Sequence, residues 1–146
     1  MSENIKTISK WSRRNRALFI VLVCITLVVI PQFVYVFLQA HAASHAFTTF
    51  SQALVVKDYQ RAYSLTSPEF QSATNEQTFI NQQESICSDL GGIEKITKDW
   101  YETENYSDGW SSDISARFIC KQAERQVDFA MKKRGKIWKV YGYRER

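Results

Sequence analysis

The sequence predicts an α+β protein in which an N-terminal transmembrane helix precedes a domain of three to four helices packed on a four-stranded antiparallel sheet. Three observations predict it. Residues 17–38 form an apolar run without a charge, residues 40–90 place apolar side chains at helical spacing, and residues 93–146 alternate apolar with polar side chains. The chain has 146 residues, of which 45% are hydrophobic and 14% aromatic, so it can build one domain with a sizeable core.

The formal net charge of +4 comes from the N-terminal tail and not from the domain. Residues 1–16 contain five basic side chains and one acidic side chain, which leaves the rest of the chain neutral overall. Binding of nucleic acid usually needs a cluster of uncompensated basic residues on the domain itself. We therefore expect no nucleic-acid partner.

The apolar run "ALFIVLVCITLVVIPQFVYVFL", residues 17–38, is long enough to span a bilayer. A helix rises about 1.5 Å per residue, so the run reaches across a hydrocarbon core of about 30 Å. We expect a kink rather than a break at Pro31, because backbone groups freed by a proline can be satisfied locally. Basic residues precede the run and none follows before Lys57, which by the positive-inside bias predicts a cytoplasmic N-terminus.

The predicted organisation is therefore a basic cytoplasmic tail at 1–16, a transmembrane signal anchor at 17–39 and an exported domain at 40–146. The predicted location is the bacterial inner membrane, crossed once, with the lipid bilayer as one partner. A cleaved signal peptide is the alternative, since "AHA" at 40–42 is an acceptable cleavage site. The anchor is favoured because the apolar run exceeds the roughly 7–15 residues typical of a signal peptide.

Capping residues divide the region after the apolar run into short helices. Residues 40–56 predict an amphipathic helix, and Asp58 is placed to cap a second one. Ser67, with Pro68 at the first helical position, predicts the start of a third helix. Thr74 and a glutamine three residues later fit a capping box for a fourth helix, which stops at a pair of glycines.

Beyond the glycine pair the sequence predicts a β-meander. Residues 93–104 form a first strand, and Asp108 with Gly109 supplies a hairpin turn. Two further strands follow by alternation, and the last is "IWKVYGY" at 137–143. One face of the sheet is apolar and carries Ile114, Ala116, Phe118, Cys120, Val127, Phe129 and Met131. This face needs the cover that the apolar sides of the helices can provide.

Cys87 and Cys120 are predicted to form a disulfide. Cys87 shares a helix face with apolar side chains, and Cys120 lies on the apolar side of its strand, so both thiols should point into the layer between the helices and the sheet. An oxidising envelope would form and keep such a bond. The alternative is a pair of buried free cysteines.

The order of short helices followed by a twisted antiparallel sheet resembles the nuclear transport factor 2-like (cystatin-like) α+β superfamily. The stretches "FSQALVVKDYQRAYSLTSPEFQ", "LGGIEKI" and "GKIWKVYGY" are similar to those of small membrane-anchored or exported bacterial members. The resemblance covers residues 45–146 and implies a cone-shaped domain with a pocket between the helices and the concave sheet face. The lining that it implies consists of Tyr59, Tyr63, Trp100, Phe118 and Trp138.

Catalysis is not expected, although enzymes such as the ketosteroid isomerases share the resembled fold and place a carboxylate base inside the cone. No histidine follows His45, and alternation points Asp113 and Asp128 toward solvent. The orientation of Asp99 stays open, because the register of its strand is irregular. His41 and His45 share one helix face, but two imidazoles do not complete a zinc site. We assign no catalytic, cofactor-binding or metal-binding residue and expect no cofactor.

Two functions fit these expectations. The first is a non-enzymatic envelope protein whose exported domain binds a membrane or envelope protein or a small apolar ligand. The second is a scaffold subunit of an inner-membrane secretion or assembly complex, because the inner-membrane scaffold of type IV secretion systems resembles this layout. A small cone-pocket enzyme is less favoured. The basic cluster around Gly135 is interpreted as a solvated hairpin tip, with a phospholipid-binding site as the alternative.

Overall fold

The computed structural model describes residues 13–146, so most of the predicted tail at 1–16 lies outside the described residues. The chain divides into two compact units between Phe37 and Leu38. The first helix, α1 (Arg13–Val55), continues through Pro31 and includes this boundary. The apolar side chains of the first unit, from Leu18 onward, are exposed, and the helix is long and apolar enough to cross a membrane.

The second unit continues with three short helices, α2 (Tyr59–Ser64), α3 (Pro68–Ala73) and α4 (Glu76–Ile86), and a 3-10 turn at Ser88–Leu90. Two of the predicted caps are confirmed. Asp58 accepts a hydrogen bond from the backbone N–H of Arg61 at 3.2 Å, and Ser67 accepts one from Phe70 at 3.1 Å. These side chains satisfy amide groups that a helix start leaves without partners inside the helix.

The predicted cap at Thr74 is wrong by one residue. Asn75 caps α4 instead, because its side-chain oxygen accepts the backbone N–H of Thr78 at 2.8 Å. Thr74 is the last residue of the preceding turn, where its own N–H donates to the carbonyl of Phe70 at 2.8 Å. Asparagine is also the better N-cap residue, so the threonine closes α3 while the asparagine opens α4.

A four-stranded antiparallel sheet follows in the order β1-β2-β3-β4, as the alternation predicted. The strands are β1 (Ile93–Tyr106), β2 (Gly109–Cys120), β3 (Glu124–Arg134) and β4 (Ile137–Glu145). The first strand runs two residues further than predicted. The hairpin turn after it contains Ser107 and Asp108, and Gly109, with φ of 118°, already belongs to β2.

The core lies between the inner face of this sheet and the helices. Alternate residues of β2 and β3 are buried there against Phe47, Phe50 and Leu54 of α1 and Phe79 of α4. Cys87, at the end of α4, is joined by a disulfide to Cys120, the last residue of β2, with a Cα–Cα distance of 5.8 Å. The helix layer is thus tied covalently to the inner face of the sheet.

Candidate functional site

The inner face of the sheet, where the resemblance implies a pocket, is filled by aromatic rings. The ring centre of Phe129 lies 5.1 Å from that of Phe47, 5.7 Å from Phe50 and 6.0 Å from Phe118. Phe79 adds a further ring from α4 and lies 6.3 Å from Phe50. These aromatic side chains pack on one another at the separations typical of buried aromatic pairs.

The five side chains expected to line one pocket occupy different parts of the domain. Phe118 and Trp138 belong to the buried core. Tyr63 is half-buried, and its hydroxyl donates to the carbonyl of Thr74 at 2.7 Å. Tyr59 borders a cleft beside α4, whereas Trp100 lies on the outer face of the sheet. The structure therefore buries two of the five at different places in the core and leaves Tyr59 and Trp100 beside two separate surface cavities.

An open groove of about 450 Å³ runs across the outer face of the sheet. Small residues from three strands form its floor, because Ser115 of β2, Ala130 of β3 and Gly142 of β4 all lie on this face. Gly142 pairs directly with Ala130 in the sheet. A central area with so little side chain leaves room for groups of another molecule to approach the backbone.

Trp100 borders this groove and is 54% exposed. It pairs with Ser115 across β1 and β2, after a register shift that begins at Lys98. The shift adds one residue, Asp99, to β1, and such a bulge re-aims the side chains that follow it. The irregular register therefore places a large aromatic side chain on the open face of the sheet.

The extra residue of the bulge is held by an ion pair. Asp99 accepts two hydrogen bonds from the guanidinium of Arg117, at 2.6 and 2.7 Å. Hydrogen bonding to Arg117, with its positive charge, lowers the pKa of Asp99 below the ordinary aspartate value. Asp99 is therefore an ionised anchor of the bulge, on the face away from the aromatic core.

The opposite side of the groove carries Asp128, Arg144 and Arg146. One carboxylate oxygen of Asp128 accepts a hydrogen bond from Arg146 and lies 4.0 Å from the guanidinium of Arg144. The other carboxylate oxygen is buried and has no hydrogen-bond partner among the described residues. The groove thus combines an exposed tryptophan, a floor of small residues and a group of charged side chains in which one carboxylate oxygen lacks a hydrogen bond.

The second cavity is a cleft of about 380 Å³ beside α4. Gln83 lines it, is only 1% exposed, and neither end of its amide has a hydrogen-bond partner within residues 13–146. Tyr59 borders the same cleft, and burial, followed by the nearby charge of Glu84, raises the pKa of its phenol. A buried amide without partners costs stability, so Gln83 is a candidate for contact with a ligand.

Tyr143 packs on the aromatic core and reaches α4 with its hydroxyl. Its hydroxyl donates to the side-chain oxygen of Gln82 at 2.7 Å, and its ring lies 5.8 Å from that of Phe129. Burial raises the pKa of Tyr143. The nearby Gln83 amide lowers that pKa, although the two groups do not form a hydrogen bond of sound geometry. The phenol is neutral at physiological pH and serves as a packing group.

Two of the candidate carboxylates, Asp113 and Asp128, line the outer groove together, whereas Asp99 lies at the bulge of β1. Asp99, Asp113 and Asp128 all lie on the outer face, at different strands. His41 and His45 are exposed on α1. Within residues 13–146, no three side chains of His, Cys, Asp or Glu come together in a way that could hold a metal ion.

Comparison with solved structures shows the fold. Aln2 from a Streptomyces species has a TM-score of 0.58 at 8% identity, and the match covers 73% of this chain and 88% of Aln2. Bd1075 from Bdellovibrio bacteriovorus has a TM-score of 0.51 at 13% identity, with 70% of this chain covered. The matched region spans only 38% of Bd1075.

A third structure, from Campylobacter jejuni and described as an NTF2-like transpeptidase, has a TM-score of 0.45 at 16% identity, over 64% of this chain and 91% of that one. A TM-score at that level does not by itself establish a shared fold. No protein-family model matches the sequence. Curated protein sequences give no match either. The α+β fold of this chain is shared with Aln2 and with the matched part of Bd1075, and at these identities the likenesses show the fold alone.

Proposed function

We propose that this chain, with its nuclear transport factor 2-like fold, is a non-enzymatic, membrane-anchored envelope protein that binds a protein partner across the outer face of its sheet. In this proposal residues 17–39 cross the bacterial inner membrane once and the N-terminus is cytoplasmic. The C-terminal domain then works outside the cytoplasm. The disulfide supports that side of the membrane, since such bonds persist in oxidising compartments.

The observation that carries the proposal is the exposed Trp100 beside the small floor of the outer groove. Tryptophan and arginine are among the residues most enriched where binding energy concentrates at protein interfaces. Here Trp100 lies on one side of the groove, with Arg144 and Arg146 on the other. A partner side chain or backbone segment could occupy the small floor between them while the tryptophan packs against it.

The filled inner face supports a binding role outside the cone. A small apolar ligand there would have to displace buried rings such as those of Phe129 and Phe118, which already pack on each other. A carboxylate base would also have to reach the interior, whereas the aspartates of the strands lie on the outer face. Both observations favour the outer groove as the working surface.

Photo-crosslinking tests the proposal in cells. A photoreactive amino acid replaces Trp100 in the full-length chain, and the matched control carries it at Tyr101, an exposed aromatic outside the groove. We expect irradiation to give one discrete, heavier product from position 100, whose second component is then identified by mass spectrometry. The same product in equal yield from position 101, or none from either position, would contradict a partner-binding groove.

A further inference from the structure

The β3–β4 hairpin is held against the residue where the apolar run ends. Lys133 donates a hydrogen bond to the side-chain oxygen of Gln39 at 2.8 Å, and Gln39 is itself buried. Gln39 directly follows Leu38, the last residue of the apolar run. The tip of this hairpin is therefore fixed at the end of the domain from which the apolar segment leaves.

The β1–β2 hairpin belongs to the same end. Lys132 donates to the carboxylate of Asp108 at 3.0 Å, which joins the turn between β1 and β2 to the last residues of β3. Hydrogen bonding to Lys132 lowers the pKa of Asp108. We call this region, residues 106–110 and 132–137 together with Gln39, the juxtamembrane end.

Two exposed side chains project from the juxtamembrane end, the apolar Ile137 and the phenol of Tyr106, whose hydroxyl donates to the carboxylate of Glu104. Ile137 is 61% exposed and follows the Gly135–Lys136 turn, and Tyr106 is 53% exposed at the end of β1. Aromatic side chains are enriched at the depth of lipid headgroups, and apolar side chains at loop tips can bury themselves just below that depth.

The basic side chains of this end are only partly neutralised by the protein. Arg134 pairs with Glu69, and Lys132 pairs with Asp108. Lys133 donates to a neutral side chain, that of Gln39. Among the described residues, no carboxylate pairs with Lys136. By contrast, at the far end of the sheet Arg125 contacts both Asp89 and Glu145.

We infer that the juxtamembrane end docks on an anionic lipid surface, with Ile137 and Tyr106 at headgroup depth and Lys133 and Lys136 close to lipid phosphates. The inference rests on the proposed membrane anchor, because only an anchored chain keeps this end close to the bilayer. Each basic residue near an anionic leaflet adds attraction that salt screens. The docked domain would present its outer groove at a fixed height above the membrane.

Fluorescence in nanodiscs tests the inference with the full-length chain. The chain carries Cys24→Ser, which removes the free cysteine, and Ile137→Cys labelled with an environment-sensitive dye, while the disulfide stays oxidised. The matched control carries the label at Lys121, in the turn at the far end of the sheet. Discs contain phosphatidylcholine with or without phosphatidylglycerol.

We expect a blue-shifted emission and protection from acrylamide quenching at position 137 only when phosphatidylglycerol is present. Lys136→Glu and high salt should each abolish that protection, and the label at position 121 should stay quenched throughout. Equal quenching at positions 137 and 121 would overturn the inference while leaving the anchor intact. Protection that is indifferent to phosphatidylglycerol and to Lys136→Glu would also overturn it. A chain that fails to enter the discs would refute the anchor and the inference together.

Discussion

The two faces of the sheet differ in what they leave for another molecule. On the inner face, Phe118 and Phe129 are buried among further rings of the helices. On the outer face, Ser115, Ala130 and Gly142 form a floor bordered by an exposed Trp100. The same strands supply both surfaces, because alternate residues point to opposite sides. The difference teaches that the inner face is filled by the protein's own rings, whereas the outer face leaves an open groove, which is why we propose binding there.

The largest effect should come from removing the central ring of the inner face. Phe129→Ala deletes a fully buried ring that packs on Phe47, Phe50 and Phe118 at once, so the free energy of unfolding should fall by about 3–5 kcal/mol. Thermal and chemical unfolding of the purified chain would measure this. A variant as stable as the original would show that the inner face has room, as a pocket requires.

The next effect comes from the covalent tie between the helices and the inner face. Replacing Cys87 and Cys120 by serine should lower the free energy of unfolding by about 3–4 kcal/mol, because the bond closes a loop with a sequence separation of 33. Cys24→Ser is the matched control and should leave domain stability unchanged. If alkylation without prior reduction labels Cys87 and Cys120 in protein taken from cells, the disulfide does not form there.

A smaller effect of opposite sign is expected at Gln83. Gln83→Leu replaces a buried, unpartnered amide by an apolar side chain of similar size, and the free energy of unfolding should rise by about 1–3 kcal/mol. Gln82, the exposed neighbour, serves as control. Gln82→Leu removes the hydrogen-bond acceptor of the Tyr143 hydroxyl and should give no increase in the free energy of unfolding. A loss of stability in Gln83→Leu would mean that this amide is satisfied within the fold and is not held for a ligand.

Much of the fold could be predicted from local chemistry. Asp58 and Ser67 cap helices because their side chains satisfy amides three residues ahead, and this depends only on nearby sequence. Alternation identified the inner residues of β2 and β3, since a one-residue slip would turn all of them to solvent. The predicted cap at Thr74 was wrong because Thr74 and Asn75 are both residues that can cap a helix. Thr74 ends α3, which leaves Asn75 to cap α4.

The site was harder to predict, because it depends on register and on packing across the whole domain. The sequence does not show that the bulge at Asp99 sends Trp100 outward, since a bulge is visible only once β1 is paired with β2. Phe118 and Trp138 were expected beside a pocket, yet whether such rings line a space or fill it depends on the volumes of all their neighbours. The buried amide of Gln83 carries no signal at all in the local sequence.

Capture of the partner by a Trp100→Ala chain tests the central claim most directly. The partner found by crosslinking is quantified after gentle solubilisation of membranes that contain either the original chain or the variant. The exposed tryptophan contributes little to the core, so the melting temperature should stay unchanged while recovery of the partner falls to background. Full recovery of the partner with Trp100→Ala, at unchanged stability, would contradict the assignment of binding to the outer face.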